Sequence, residues 1–158
     1  MAKKYKSTDR FVKPDARFKS KLVTKFINCI MQRGKKTTAQ NIVYKAIGDL
    51  EKKIKEKDPL DIFTTAVNNV KPLIEVRSRR IGGATYQVPV EVSPKRQQSL
   101  AMRWIITATK KKKGKPMAER LADELMAAFK GTGEAMTTRE NVHKMAEANK
   151  AFAHFAYQ

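Results

Sequence analysis

From Leu22 onward, apolar residues recur every three or four positions. Leu22, Val23, Phe26, Ile27 and Ile30 fall on one helical face, while Lys21, Lys25, Asn28 and Gln32 fall on the other. Cys29 is assigned to the apolar face as a small buried hydrophobe. Gly34 is the predicted stop. Thr37 and Gln40 have capping-box spacing, and Ile42, Val43, Ala46, Ile47, Leu50 and Ile54 line one side of the second helix that follows. Asp58 before Pro59 reads as an N-cap with proline in the first turn. Phe63, Ala66, Val67 and Val70 make the buried stripe of this third helix, which Pro72 ends.

The period then falls from about 3.6 to 2. Ile74 and Val76 alternate with Glu75 and Arg77, and beyond Gly82 and Gly83, Tyr86, Val88, Val90 and Val92 alternate with Gln87, Pro89 and Glu91. This is the pattern of a β-hairpin. A loop of only the two glycines would set Arg77 opposite Val88 and put the two apolar sets on opposite faces, so the pattern predicts an odd-length loop or a bulge with Gly83 left-handed. Pro89 fits an isolated ribbon, in which both strands are edges.

Helical periodicity returns after Ser93 and Pro94, with Leu100, Ala101, Trp104, Ile105 and Ala108 on the core side. A fifth helix begins near Pro116, buries Leu121, Leu125, Ala128 and Phe129, and closes at Gly131. Thr137 and Glu140 are the predicted cap of a sixth. The fold class is therefore mainly α, a six-helix domain with a protruding two-stranded β-hairpin arm. Residues 1–17 form a basic N-terminal arm, and residues 18–158 a single helical domain that includes the hairpin at 73–92.

Charge sharpens this outline. Of 34 Lys and Arg against 15 Asp and Glu, residues 1–36 hold twelve against two and residues 71–115 again hold twelve against two. The segments between and after them are close to neutral. Two concentrated blocks of this kind are the footprint of a polyanion binder, and nucleic acid fits better than an anionic membrane because its dense phosphates release counterions to Lys and Arg. In the first block the candidate RNA contacts are Lys3, Lys4, Lys6, Arg10, Lys13 and Arg17, then Arg33, Lys35 and Lys36. In the second, Lys95, Arg96, Arg103 and Lys110 mark the polar side of the fourth helix, and Lys111, Lys112, Lys113 and Lys115 continue into the loop beyond it. Arg77, Arg79 and Arg80 load the hairpin with charge that a polyanion would neutralise.

Other chemistry finds little support. The single cysteine excludes a disulfide within the chain and a cysteine-cluster zinc site, and fits a reducing compartment. His143, Glu147, Lys150 and His154 share one face of the last helix, but eleven residues at a 1.5 Å rise put the two histidines on the order of 16 Å apart, too far for one ion. Gly82 and Gly83 lack the flanking residues of a phosphate loop. No catalytic residue, metal or cofactor is assigned. The basic N-terminus lacks a secretory apolar segment, and no run reaches membrane-spanning length, so the expectation is a cytoplasmic protein with no membrane partner.

The segment VKPLIEVRSRRIGGATYQVPVEVS at 70–93, followed by LAMRWI at 100–105 and VHKMAEANKAFAHF at 142–155, closely resembles the family of ribosomal protein seven of the small subunit, bacterial type. The likeness extends over about 18–155 and includes NIVYKAI at 41–47. It implies a primary RNA-binding protein of the small ribosomal subunit that binds the 3′ major domain of the subunit's ribosomal RNA and nucleates assembly of its head. It further implies that the N-terminal arm and the loop after the first helix touch RNA, and that ribosomal proteins nine and eleven are neighbours. By the same resemblance Arg77, Arg79, Arg80, Gly82, Gly83, Thr85 and Tyr86 lie near the exit-site tRNA and the mRNA exit path. A DNA-bending architectural protein, also a helical body with basic β-arms, is the alternative. Its intercalating wedge is missing from the tip Ile81, Gly82, Gly83, Ala84.

Overall fold

The structure, a computed structural model, describes residues 11–54 and 57–157. Their order is α1 (Lys21–Ile30), α2 (Lys36–Lys53), α3 (Pro59–Val70), β1 (Ile74–Ile81), β2 (Ala84–Glu91), α4 (Pro94–Lys111), α5 (Met117–Phe129) and α6 (Glu134–Ala148). A C-terminal 3₁₀ helix covers Lys150–Tyr157.

The six stripes meet in one core. Helix α5 packs against α2, α3 and α4, so its Leu121, Leu125 and Ala128 are enclosed on three sides. Phe26 of α1 and Phe63 of α3 meet edge to face, with ring centroids 5.2 Å apart, and both are fully buried. Burying each such ring contributes roughly 1.5–3 kcal/mol. At the start of α3 the Leu60 N–H donates to Asp58 Oδ1 at 2.9 Å, as the Asp-Pro pair predicts.

Other boundaries depart from the sequence reading. Helix α1 ends at Ile30, ahead of Gly34, because Met31 already leaves the helical region (ψ 133°); Arg33 and Gly34 then adopt consecutive left-handed conformations (φ 51° and 72°) that turn the chain into α2. Helix α2 begins at Lys36 without a side-chain cap, so Thr37 lies inside it. Helix α6 begins at Glu134, three residues before the predicted cap. Its Ala135 N–H donates to Glu124 Oε1 at 2.9 Å, while the Thr137 and Thr138 hydroxyls turn back to the carbonyls of Gly133 and Glu134. A carboxylate on α5 thus caps α6, a partnership that local sequence does not reveal.

The hairpin is also tighter than predicted. Ile81 pairs with Ala84 across a two-residue loop, and Gly82 and Gly83 have φ of 56° and 87°, the double left-handed geometry of a type I′ turn. Arg77 therefore does face Val88. The mixed face this creates is tolerated because its buried charge, Glu75, is paired with arginines, while Ile74 on the other face is left exposed.

Helix α6 stops at Ala148, and the C-terminal 3₁₀ helix packs on β2. His143 and His154 therefore lie on separate helices. His143 Nε2 accepts a hydrogen bond from the Leu73 N–H at 3.1 Å and so fastens α6 to the base of the hairpin.

Candidate nucleic-acid interface

The turn between α1 and α2 holds Arg33, Lys35 and Lys36 exposed above a rigid core. Beside it lies the C-terminal end of α4. Lys35 and Lys110 line the same cavity of about 400 Å³, together with Ile30, Ala39, Ile42 and Met117. Further along the α1–α4 contact, the Lys25 ammonium donates to Gln98 Oε1 at 3.4 Å, and the charges of Lys25 and Arg103 both reach Cys29. Cations separated by up to 85 positions in sequence are thus gathered along α1, the turn and α4. Lys95 and Arg103 stand exposed on α4, outside the core.

Cys29 departs from its sequence assignment. It is exposed at the margin of the apolar stripe, next to Lys25 rather than beneath Phe26. Partial burial pushes its thiol pKa up, with Arg103 and Lys25 opposing, which disfavours the nucleophilic thiolate.

Lys13 and Arg17 belong to a segment secured by a carboxylate. Buried Asp15 accepts from the N–H groups of Arg17 and Phe18 at 3.0 and 3.1 Å and from the Tyr44 hydroxyl at 2.7 Å. The Arg17 guanidinium lies 5.3 and 5.6 Å from the ring centroids of Phe18 and Tyr44, within cation–π range. The Thr24 hydroxyl donates to the Lys13 carbonyl at 2.9 Å, and Lys13 and Lys36 line a common cavity. Lys3, Lys4, Lys6 and Arg10 lie outside the described residues.

The lysine run after α4 is not uniform. Lys111 pairs with Glu134, Lys112 with Glu124 at 2.6 Å, and Lys115 with Asp123 at 3.4 Å. Asp123 also binds Lys53 at 2.6 Å, and these two lysines hold its carboxyl below the usual carboxylate range despite partial burial. Lys110 and Lys113 have no ion pair among the described residues.

On the hairpin, buried Glu75 draws in Arg77 at 2.6 Å and Arg96 of α4 at 2.7 Å. Burial pushes the Glu75 carboxyl up, but the hydrogen bonds and charges of Arg96 and Arg77 outweigh it and leave the pKa low. One Arg79 amino group donates to the Phe155 carbonyl at 2.8 Å, and Tyr86 contacts Phe152 and Phe155 at centroid distances of 5.4 and 5.2 Å. Arg80, Gly82, Gly83 and Thr85 form the exposed end. Among the described residues, the sites named from sequence therefore fall into two regions, an anchor on the helices and an arm. Sequence reasoning missed Asp15, Glu75, Glu124, Arg120, Phe152 and Phe155. One signal was available: Glu75 and Asp15 are isolated acids within strongly basic stretches.

Among the described residues no helix is long and apolar enough to cross a membrane, and no cluster of His, Cys, Asp and Glu is arranged to hold a metal ion.

Comparison with known proteins gives a consistent result. The family described as Ribosomal protein S7p/S5e matches residues 2–150. The small ribosomal subunit protein uS7 of Rhodopirellula baltica is 58% identical over 144 residues, covering 90% of this chain and 92% of its own. That of Polynucleobacter necessarius is 54% identical over 157 residues, covering 99% and 100%. The Thermosipho africanus protein is 56% identical over 148 residues, covering 94% and 95%.

Proposed function

The chain belongs to the ribosomal protein S7p/S5e family, and from that premise we propose how its two basic regions divide the work of a small-subunit ribosomal protein. At the coarser level it is a structural, non-enzymatic constituent of the small ribosomal subunit that binds ribosomal RNA. At the finer level, the anchor engages the 3′ major domain of that RNA and nucleates the head. The observation that carries this reading is the convergence of Arg33, Lys35 and Lys36 with Lys110 on a helical platform. Cations at fixed spacing engage several phosphates of a folded RNA together, whereas cations on a mobile chain would first have to be ordered.

The arm, in this proposal, extends toward the exit-site tRNA and the mRNA exit path with Arg80 and the glycine turn leading. Its base suits protein neighbours. A cavity of about 610 Å³ between hairpin, α6 and 3₁₀ helix is lined by Leu73, Ile74, Pro89, Val90 and Ala146 among others, and Leu73 is exposed. We assign the contacts with ribosomal proteins nine and eleven to this less basic side. The arm's tip is two glycines flanked by the paired Ile81 and Ala84, with no projecting wedge of the kind DNA-bending arms insert between base steps.

Competition binding tests the assignment. Folded head-domain RNA is expected to outcompete random duplex DNA, and the RNA footprint is expected to fall within the 3′ major domain. Equal affinity for the two nucleic acids would refute it.

A further inference from the structure

Of the six residues after Thr109 five are lysines, alike in sequence, but one of them is held differently from the rest. The backbone carbonyl of Lys112 accepts a hydrogen bond from an Arg120 amino group of α5. Its ammonium lies 2.6 Å from Glu124 Oε2, at an angle outside hydrogen-bond geometry, so the contact is ionic. Glu124 is fully buried, and its other oxygen accepts the Ala135 N–H that starts α6. The corner has no slack, because a Cβ on Gly133 would come within 2.9 Å of Ala127 Cβ and 3.1 Å of Glu124 Oε1. Lys112 is therefore gripped at both ends by the α5–α6 corner.

Its neighbours are held loosely or not at all. Lys111 and Lys115 pair with partly exposed carboxylates, and exposed pairs of this kind are weak and readily exchanged for a phosphate. Glu124 differs because a buried carboxylate left unpaired is strongly disfavoured. Lys110 and Lys113 are exposed.

We propose that Lys112 is a positioning residue that fixes the lysine loop to the α5–α6 corner and makes no phosphate contact of its own, while Lys110 and Lys113 are the loop's principal phosphate ligands. This division rests on the RNA-binding reading above and adds to it which charges count. It predicts a separation that composition alone would not give, since removing any one of these lysines changes net charge equally.

The test is the slope of log affinity against log salt for the full chain on head-domain RNA, measured alongside thermal melting. Lys110→Ala and Lys113→Ala are each expected to reduce the slope by roughly 0.7 to 0.9 with no change in the melt. Lys112→Met, which keeps the aliphatic stem, is expected to keep the wild-type slope and lower the melting temperature. Adding Glu124→Gln to Lys112→Met removes the unpaired charge while retaining an acceptor for Ala135, and is expected to recover most of the melting temperature at the same slope. A reduced slope for Lys112→Met, or for the double variant if the single one folds poorly, would overturn the division. An unchanged melt for Lys112→Met would overturn the positioning role. A wild-type slope near zero would instead refute the RNA-binding reading on which the division rests.

Discussion

The anchor and the arm each carry a cluster of three cations, Arg33, Lys35 and Lys36 in one and Arg77, Arg79 and Arg80 in the other, yet the fold uses them in opposite ways. In the anchor, Arg33, Lys35 and Lys36 project from a turn whose flanking helices bury Phe26, Ile27, Val43 and Ile47. Side chains of the core hold the cations in place, and the cations themselves remain available. In the arm much of the charge is already paired within the protein: Arg77, with Arg96 of α4, neutralises Glu75, and Arg79 holds the C-terminal 3₁₀ helix. A two-stranded ribbon has too little core to position itself, so polar and aromatic contacts do for the arm what apolar packing does for the anchor. Equal numbers of cations in sequence are therefore not equally free of partners within the protein.

The largest expected difference between the regions is in stability. Phe63→Ala, in the platform beneath the anchor, is expected to cost about 3–5 kcal/mol in a denaturant titration of the whole chain, because it leaves a cavity where α1 and α3 meet. Replacing residues 76–90 by a short Gly/Ser turn is expected to keep the helical circular dichroism and a cooperative melt. Losing the cooperative transition would show that the strands belong to the core after all and would collapse the comparison.

Next in size is the effect on RNA binding. Converting Arg33, Lys35 and Lys36 together to Ala is expected to lower the salt slope by roughly 2 to 3 and to slow head assembly. The matched triple change at Arg77, Arg79 and Arg80 is expected to affect slope and assembly less, since two of the three guanidinium groups already have partners inside the protein, and to act instead on exit-site tRNA retention or the mRNA path. If the arm variant failed to enter the subunit while the anchor variant assembled normally, the two roles would have to be exchanged.

How much of this was legible in sequence follows the same divide. Helical periodicity identified the buried faces of α1 to α5, and Asp58 with Pro59 marked the start of α3, because those signals are carried by residues three or four apart. The arm is less legible. Its register is set by two glycines that both adopt left-handed conformations and by Arg96, twenty-one positions beyond the Glu75 it pairs with. Apolar alternation was the wrong guide once a buried ion pair made a polar face tolerable. The lysine run shows the same limit, because Lys112 differs from Lys113 only through Glu124 and Arg120, which lie on another helix. The break after Ala148 was hidden by continuing helical periodicity, although Phe152 and Phe155, three apart, carry the aromatic contact that the 3₁₀ helix makes with Tyr86.

A smaller effect is expected at the turn that sets the register. Gly83→Ala places a Cβ on a residue with φ of 87°, and although no atom lies within 4 Å, the left-handed backbone should cost about 1–2 kcal/mol. Amide exchange is expected to speed up in β1 and β2 while the slowest amides of α3 and α5 are unchanged. Faster exchange throughout the helices would mean that arm and platform are one cooperative unit.

The smallest predicted effect is a pH dependence confined to the joint of the arm. Burial, and secondarily the charge of Arg139, lowers the His143 pKa, so the ring is neutral at neutral pH and Nε2 can accept the Leu73 N–H. A base whose folded pKa is depressed stabilises the fold fully above its unfolded value, about 6.5, and loses that contribution as pH falls through the folded value. Glu75 responds at lower pH. Its carboxyl is held low by Arg96 and Arg77, so its contribution is complete above the usual glutamate value of about 4.3 and is lost as acid protonates the folded state. Acidification from pH 7 is therefore expected to loosen the hairpin base in two steps, the first abolished by His143→Gln if the amide oxygen replaces the imidazole acceptor, and the second by Glu75→Gln, while α3 and α5 amides keep their protection. Amide exchange at Leu73 and across β1, followed from pH 7 to pH 3, reads both steps. A single transition shared by hairpin and core would show that the joint does not titrate separately from the platform.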